Sequence, residues 1–409
     1  MRFLFVHQNF PGQFHHVATE LAADVRHQVV AFGDAARLKG RASMHPRLRT
    51  LGYPSDGAKA GQGTHHYVRD FEAAVRRGQA VARLAMKVRE EGFVPDVVVA
   101  HPAWGEALFL RDIFPGARHV CYCEFYYHGE GADVGFDPEF PASLDSRLRA
   151  RVRNATQLLA LAAADAGIAP SEWQQTRYPK EFQPKIQVLH EGIDTGVVRP
   201  DPEAALRLGS GTLTPADEVV TYVARNLEPY RGIHVLLRAL PALLAARPRA
   251  RVVIVGGDEV SYGRQLPAGD TYRARYTREV SDRVDWSRVH FLGRIPYADF
   301  LTVLRVSSVH VYLTYPFVLS WSMLEAMATG CLVVASATPP VREVIGHGEN
   351  GLLVDFFDHA ALADTVAQAL TRPSEFTGLR AAARETVVER FDLRTRCLPD
   401  LIRFLAGTT

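Results

Sequence analysis

Short runs of consecutive apolar residues alternate along this chain with longer stretches of helical period. Met1 to Val6, Gln28 to Phe32, Asp96 to Ala100 and Arg118 to Tyr122 form such runs in the first half. Val219 to Ala224, Arg251 to Val255, Val289 to Leu292, Ser308 to Leu313 and Leu332 to Ala335 do so in the second. Several are apolar at successive positions instead of every other one, the mark of strands covered on both faces of a parallel sheet. Phe71 to Glu91, Gly232 to Ala246, Ser322 to Ala328 and Ala360 to Leu370 read as helices between them. Two successive series of strand and helix predict two doubly wound α/β domains. The stretch from Asp194 to Asp217 is rich in Gly, Pro and Asp and carries no sustained strand pattern, so the boundary belongs there. The predicted division is 1–195, 196–390 and a tail, 391–409, whose amphipathic helix near Leu393 to Leu405 is expected to cross back to the first domain.

A length of 409 residues suits two cores of about 200 residues each. The formal net charge of +2 gives no general electrostatic reason to bind nucleic acid. No window holds the roughly 18 uninterrupted apolar residues of a membrane span. The opening apolar run stops at His7-Gln8-Asn9, too short for a signal-peptide core. The expectation is a cytoplasmic protein, with room for peripheral contact at the inner face of a membrane. Of the cysteines, Cys121 and Cys123 sit on one face of a strand, but no second Cys/His pair follows at zinc-like spacing. All four read as inert buried thiols.

Candidate chemistry clusters where strands end. The first strand leads through Gln8 to Phe14, and Gly12 there would let backbone approach an anion at the start of a helix; a plain tight turn is the alternative. No G-x-G-x-x-G follows any strand, which disfavours a dinucleotide cofactor and a dehydrogenase. Arg225 and Arg231 flank the end of one strand beside Gly232, where forked donors suit a diphosphate; two solvated surface arginines would look the same. Glu325 lies among Met323, Leu324, Ala326 and Met327, and a carboxylate in such company needs a hydrogen-bonding partner, either a sugar hydroxyl or a protein group. The amides of Ser320 to Ser322 are placed for phosphate. In the first half, His101 and His128 follow two strand ends, as does Glu124, a candidate to orient an acceptor. Either histidine could meet a donor sugar or leaving phosphate, or cap a loop.

The order His190-Glu191-Gly192-Ile193-Asp194, the Arg225 to Gly232 loop, Phe291-Leu292-Gly293-Arg294-Ile295, Leu324-Glu325-Ala326-Met327-Ala328-Thr329-Gly330 and Glu349-Asn350-Gly351-Leu352-Leu353-Val354 resembles the retaining glycosyltransferases of family 4. The resemblance implies the GT-B arrangement, two facing Rossmann-like domains with a cleft between them. It implies that Glu325 holds the nucleotide ribose, that Arg225 and Arg231 hold the donor diphosphate, and that backbone at Arg294 and Ile295 meets the base. Gly12 matches the loop that closes over the donor. One position departs: the first glutamate of the family's motif is Phe317 here, which leaves the amides of Leu319, Ser320 and Trp321 to serve the sugar side.

The implied reaction moves a hexose from a nucleoside-diphosphate sugar to a sugar, lipid-linked or small-molecule acceptor, without a metal or other cofactor. Arg225, Arg231, His101 and His128 are the candidates to act in it, the arginines on the charge that grows on the leaving diphosphate. A sugar-nucleotide epimerase of the same fold, or a catalytically silent partner motivated by Phe317, stays open at this point.

Overall fold

A computed structural model describes residues 1–55, 57, 59–209 and 211–407. The chain divides into two units, Met1–Gly192 together with the chain from Leu393 on, and Ile193–Asp392.

The first unit is built on seven strands: β1 (Arg2–Val6), β2 (Gln28–Asp34), β3 (Leu48–Tyr53), β4 (Val97–Ala100), β5 (Arg118–Tyr122), β6 (Ala166–Ala169) and β7 (Ile186–Val188), in the order β3-β2-β1-β4-β5-β6-β7. Every ladder is parallel. Successive residues of a strand face opposite sides, and here both sides are buried. Phe3, Phe5, Val29, Ala31, Val97 and Val99 pack into one apolar layer. Leu4, Val6, Val30, Phe32, Val98 and Ala100 pack into the other. That double burial is why the runs are apolar without alternation.

The second unit opens with a small antiparallel pair, β8 (Leu206–Leu208) and β9 (Gly211–Leu213). Its main sheet contains β10 (Val219–Asn226), β11 (Arg251–Gly257), β12 (Val289–Gly293), β13 (Val309–Tyr312), β14 (Leu332–Ser336) and β15 (Leu352–Val354), in the order β12-β11-β10-β13-β14-β15. These ladders are also parallel. Both units are therefore Rossmann-like. In such sheets the strand order reverses at one point, and the crevice beyond the carboxyl ends there is the natural ligand position. The reversal falls between β1 and β4 in the first unit and between β10 and β13 in the second.

The tail departs from the single helix read in the sequence. Leu393–Cys397 is a π-helical turn, and the α-helix proper is Leu398–Ala406, with Pro399 in its first turn. A proline has no N–H to give, so it suits a helix start and not an interior. Leu401 and Leu405 enter the apolar layer that also holds Phe14 and Leu21, and Arg118 donates to the carbonyl of Phe404. Gly192 fits closely here, since a Cβ on it would lie 2.7 Å from the Leu393 Cα. Among the described residues no helix is long and apolar enough to cross a membrane.

Candidate functional site

Beyond the ends of β10 and β13, the second unit brings together residues far apart in sequence. Gly232 has φ 72°, and a Cβ there would meet the Leu313 Cβ at 2.5 Å, so only glycine lets the helix Ile233–Ala246 start against β13. The turn before it carries Arg231, whose carbonyl accepts from the Tyr222 hydroxyl at 2.6 Å. The Arg231 side chain is buried, at 8% exposure. Its Nη1 donates to Thr314 Oγ1 at 2.8 Å and to the Tyr312 hydroxyl at 3.4 Å. Both partners are neutral, and among the described residues Arg231 forms no ion pair. The acid whose field it feels, Glu228, uses its carboxylate on the amides of Ser261, Tyr262 and Gly263 at 2.8 to 3.1 Å. Glu228 thereby pins the loop that brings Tyr262 over the site. The Arg231 guanidinium lies 5.8 Å from the ring centres of both Tyr262 and Phe317.

Arg225 does not share this setting. It is exposed at the end of β10, while Arg231 is buried, so the two arginines do not form one equivalent basic pair. Arg294 is tied sideways, Nη2 donating to Asn226 Oδ1 at 2.9 Å and Glu259 Oε2 at 2.5 Å. Ile295 is half-buried and packs on the apolar clusters beneath the sheet edge. Leu319 likewise packs inward, while Trp321 stands exposed.

Ser320 caps the helix Trp321–Ala328, its hydroxyl accepting from Ser322 N at 3.3 Å. The amide of Ser320 donates to the Tyr312 hydroxyl at 2.8 Å. That hydroxyl therefore links the helix start to Arg231. One turn further on, Glu325 is 7% exposed, and its Oε1 accepts from the Tyr297 hydroxyl at 2.7 Å. Burial lifts the Glu325 carboxyl to about 7, and the tyrosine bond pulls in the opposite direction. Phe317 sits in an aromatic group, edge-on to Tyr230 at 5.4 Å and 4.8 Å from the Tyr262 ring centre.

In the first unit, the loop after β1 and the loop after β4 meet at the reversal point. Gly12 has φ 50°, and a Cβ on it would lie 2.7 Å from His7 Cε1. His7 is buried; its Nδ1 accepts from Asn9 N at 2.9 Å, and burial holds its imidazole down to about 3. His101 stacks on Trp104 with ring centres 3.8 Å apart. Its Nδ1 accepts from Ala103 N at 3.2 Å, which leaves Nε2 to donate to Glu124 Oε2 at 3.2 Å. Glu124 Oε1 accepts from Gln13 Nε2 at 2.7 Å. The His101 ring and the Gln13 amide thus orient one half-exposed carboxylate at the sheet edge. Behind it, Glu106 is buried, accepts from the Tyr53 hydroxyl at 2.7 Å, and is pushed upward by burial. With Arg77, which donates to the Trp104 carbonyl, it braces the His101 loop.

His128 is not brought to this cluster. Its Nε2 lies 2.7 Å from the carbonyl of Arg177, the last residue of the helix Glu172–Arg177, so it serves as a helix end cap. Sequence reasoning passed over His7, Gln13, Trp104, Tyr297 and Thr314. The first three lie within a few residues of Gly12 or His101, but Tyr297 shares no local pattern with Glu325, 28 positions away.

Two family models match the chain: "Glycosyl transferase family 4 group" over residues 25–198 and "Glycosyl transferases group 1" over residues 211–386. Curated relatives include a D-inositol 3-phosphate glycosyltransferase of Nocardioides, 29% identical over 205 residues that make up 49% of this chain and 44% of the relative. One from Corynebacterium efficiens is 31% identical over 195 residues, 46% of this chain and 43% of the relative. The matched stretch thus spans less than half the length of these curated relatives. Among solved structures, Anabaena Alr3699/HepE in complex with UDP-glucose superposes with a TM-score of 0.70 at 19% identity, covering 100% of both chains. Sucrose-phosphate synthase of Thermosynechococcus elongatus gives 0.74 at 20% identity, covering 100% of this chain and 99% of that one. Both are likenesses of fold.

Proposed function

Because this chain belongs to the family 4 glycosyltransferases of GT-B fold, we propose that it transfers a hexose from a UDP-sugar to an acceptor hydroxyl with retention of configuration. The observation that carries this reading is Arg231, a buried guanidinium held by two neutral hydroxyls and no carboxylate. A buried charge without a counter-ion is costly, and a ligand anion offsets that cost. The diphosphate of a nucleotide sugar supplies two phosphates, one for Arg231 and one for the amides at the capped start of the helix Trp321–Ala328. When the sugar–phosphate bond breaks, charge grows on the leaving diphosphate, and these fixed donors stabilise it without reorganising. Glu325, a carboxylate held by Tyr297, accepts from the ribose hydroxyls, and exposed backbone at Arg294 receives the base. Uracil as the base is supported by the UDP-glucose carried by a fold neighbour. The acceptor side falls to Glu124, whose carboxylate His101 and Gln13 orient toward a hydroxyl.

The test is thermal stabilisation by UDP, GDP and ADP, with native protein and Arg231→Ala side by side. UDP is expected to raise the melting temperature of the native protein and to leave the variant unshifted. A ligand at a hundredfold excess over its Kd contributes about 2.7 kcal/mol, which is easily read. Equal shifts for native protein and variant would remove Arg231 from the donor site. The binding-only reading draws on Phe317, and UDP release that depends on an added acceptor separates it from transfer.

A further inference from the structure

Trp104 follows β4, at the point where the strand order of the first unit reverses. It is the largest side chain of its loop, yet it enters neither apolar layer of the sheet. One face of its indole is covered by His101, the two rings lying nearly parallel at 10°. His7 stands perpendicular to both rings, 5.2 Å from Trp104 and 5.5 Å from His101. A ring over the second face of Trp104 could not also be that near to His101, so His7 sits beside the stacked pair. Among the described residues no other aromatic ring lies against Trp104, its Nε1–H has no hydrogen-bond partner, and the side chain is half-exposed. The loop itself is fixed. Arg77 donates to the Trp104 carbonyl and lies 3.8 Å from Glu106, which also accepts from the Tyr53 hydroxyl. Gly105 has φ 107°, and a Cβ on it would lie 2.0 Å from the carbonyl oxygen of Ala74, so the loop rests directly on the helix Arg69–Glu90. An aromatic side chain held in place outside the core meets a ligand at little cost in ordering.

Through His101 this indole adjoins the Glu124 carboxylate, since His101 Nε2 lies 3.2 Å from Glu124 Oε2. An apolar ring face, a ring N–H and carboxylate oxygens are thus gathered around one imidazole. A pyranose has the matching parts: C–H groups on its faces, and rim hydroxyls that donate to a carboxylate and accept from an indole N–H. We propose that Trp104 is a specificity-determining residue, the platform of a sugar subsite in which a pyranose lays one face on the indole and gives a hydroxyl to Glu124. Calling that sugar the acceptor rests on the transferase reading; the subsite itself does not. The acceptor class is then a sugar or glycoside, in place of an acyclic alcohol.

The experiment is saturation-transfer NMR of the full chain in the presence of UDP. The probes are methyl α-glucopyranoside, methyl α-mannopyranoside and methyl β-galactopyranoside, with glycerol and phenol for comparison. At least one glycoside is expected to bind, with saturation concentrated on the C–H groups of one face. It should bind more tightly than glycerol, which has hydroxyls and no ring face, and than phenol, which has a ring face and one hydroxyl. Trp104→Ala should weaken that glycoside roughly tenfold, the effect of returning about 60 Å² of apolar contact to water. Trp104→Phe keeps a ring face and should recover most of the loss. Melting curves of the ligand-free variants verify their fold. Absence of binding by all three glycosides would overturn the proposal, as would equal affinity in the native protein and Trp104→Ala. Glycerol or phenol binding as tightly as the best glycoside would overturn it too. UDP stabilisation measured without glycoside reports on the donor site separately, so either reading can fail alone.

Discussion

Glu325→Gln is expected to stabilise the ligand-free protein above neutral pH and to weaken its hold on nucleotide. The carboxyl titrates near 7 in the folded chain, against 4.5 for an ordinary glutamate. Between those values the folded state binds more protons than the unfolded one, so stability falls as pH rises through that window. The gap corresponds to about 3 kcal/mol, fully expressed above pH 7 and absent below pH 4.5. Glutamine keeps an oxygen to accept from Tyr297 and carries no charge to desolvate. The variant should therefore melt at the native temperature in acid and several degrees higher at pH 8, at roughly 2 to 4 °C per kcal/mol for a domain of this size. UDP reverses the ranking. On the proposed reading ribose hydroxyls would donate to the ionised carboxylate, so UDP affinity of the native protein should rise with pH between 6 and 8, with proton release on binding. Tyr297→Phe removes the bond that opposes the upward shift, and should move that midpoint to higher pH. Calorimetric scans and UDP titrations across pH 5 to 8.5 measure all of this. A melting difference between Glu325→Gln and native protein that stays flat with pH would refute the buried-carboxylate argument.

The remaining expectations concern the first unit. Gly12→Ala places a Cβ 2.7 Å from His7 at φ 50° and should cost about 2 kcal/mol, read as a lower urea midpoint. His7 is held neutral, with its imidazole at about 3 when folded against 6.5 unfolded, so the unfolded chain takes up its proton first and stability falls as pH drops below 6.5. The loss reaches about 2 kcal/mol by pH 5, and a pH 7 to pH 5 difference of equal size in native protein and His7→Gln would contradict it.

Legibility in the sequence followed burial. Strands covered on both faces announced themselves as unbroken apolar runs, whereas the strand order, and with it both reversal points, comes from the structure. The strands Leu48–Tyr53 and Ala166–Ala169 did not: the first lies at the sheet edge with half its residues exposed, and the second reads Ala-Gly-Ile-Ala, poor in the β-branched residues that mark strands. Glu325 stood out because a carboxylate among methionines and alanines is out of place. Its partner Tyr297 and the hydroxyl of Tyr312 under Arg231 in the second unit, and the Gln13–Glu124–His101 chain in the first, arise only when segments distant in sequence meet at the edge of each unit's own sheet. His128 looked like a site residue for the same local reason as His101, and only the position of the Arg177 carbonyl tells them apart.

Phe317 and Arg231 are best understood together. A carboxylate at 317 would face a guanidinium that now lies 5.8 Å from the phenyl ring centre, in surroundings dry enough to make the attraction strong. Such a pair would satisfy Arg231 internally, and an incoming diphosphate would have to compete with it. A ring there offers the guanidinium only the weaker attraction of its π face, shared with Tyr262. The charge therefore stays in place, oriented by Thr314 and Tyr312, and its neutralisation is left to the ligand. On the proposed reading, an aromatic residue at this position in place of an acid would strengthen the anion site next to it, and the sugar beyond the diphosphate would meet the rings of Phe317, Tyr230 and Tyr262 in place of a carboxylate.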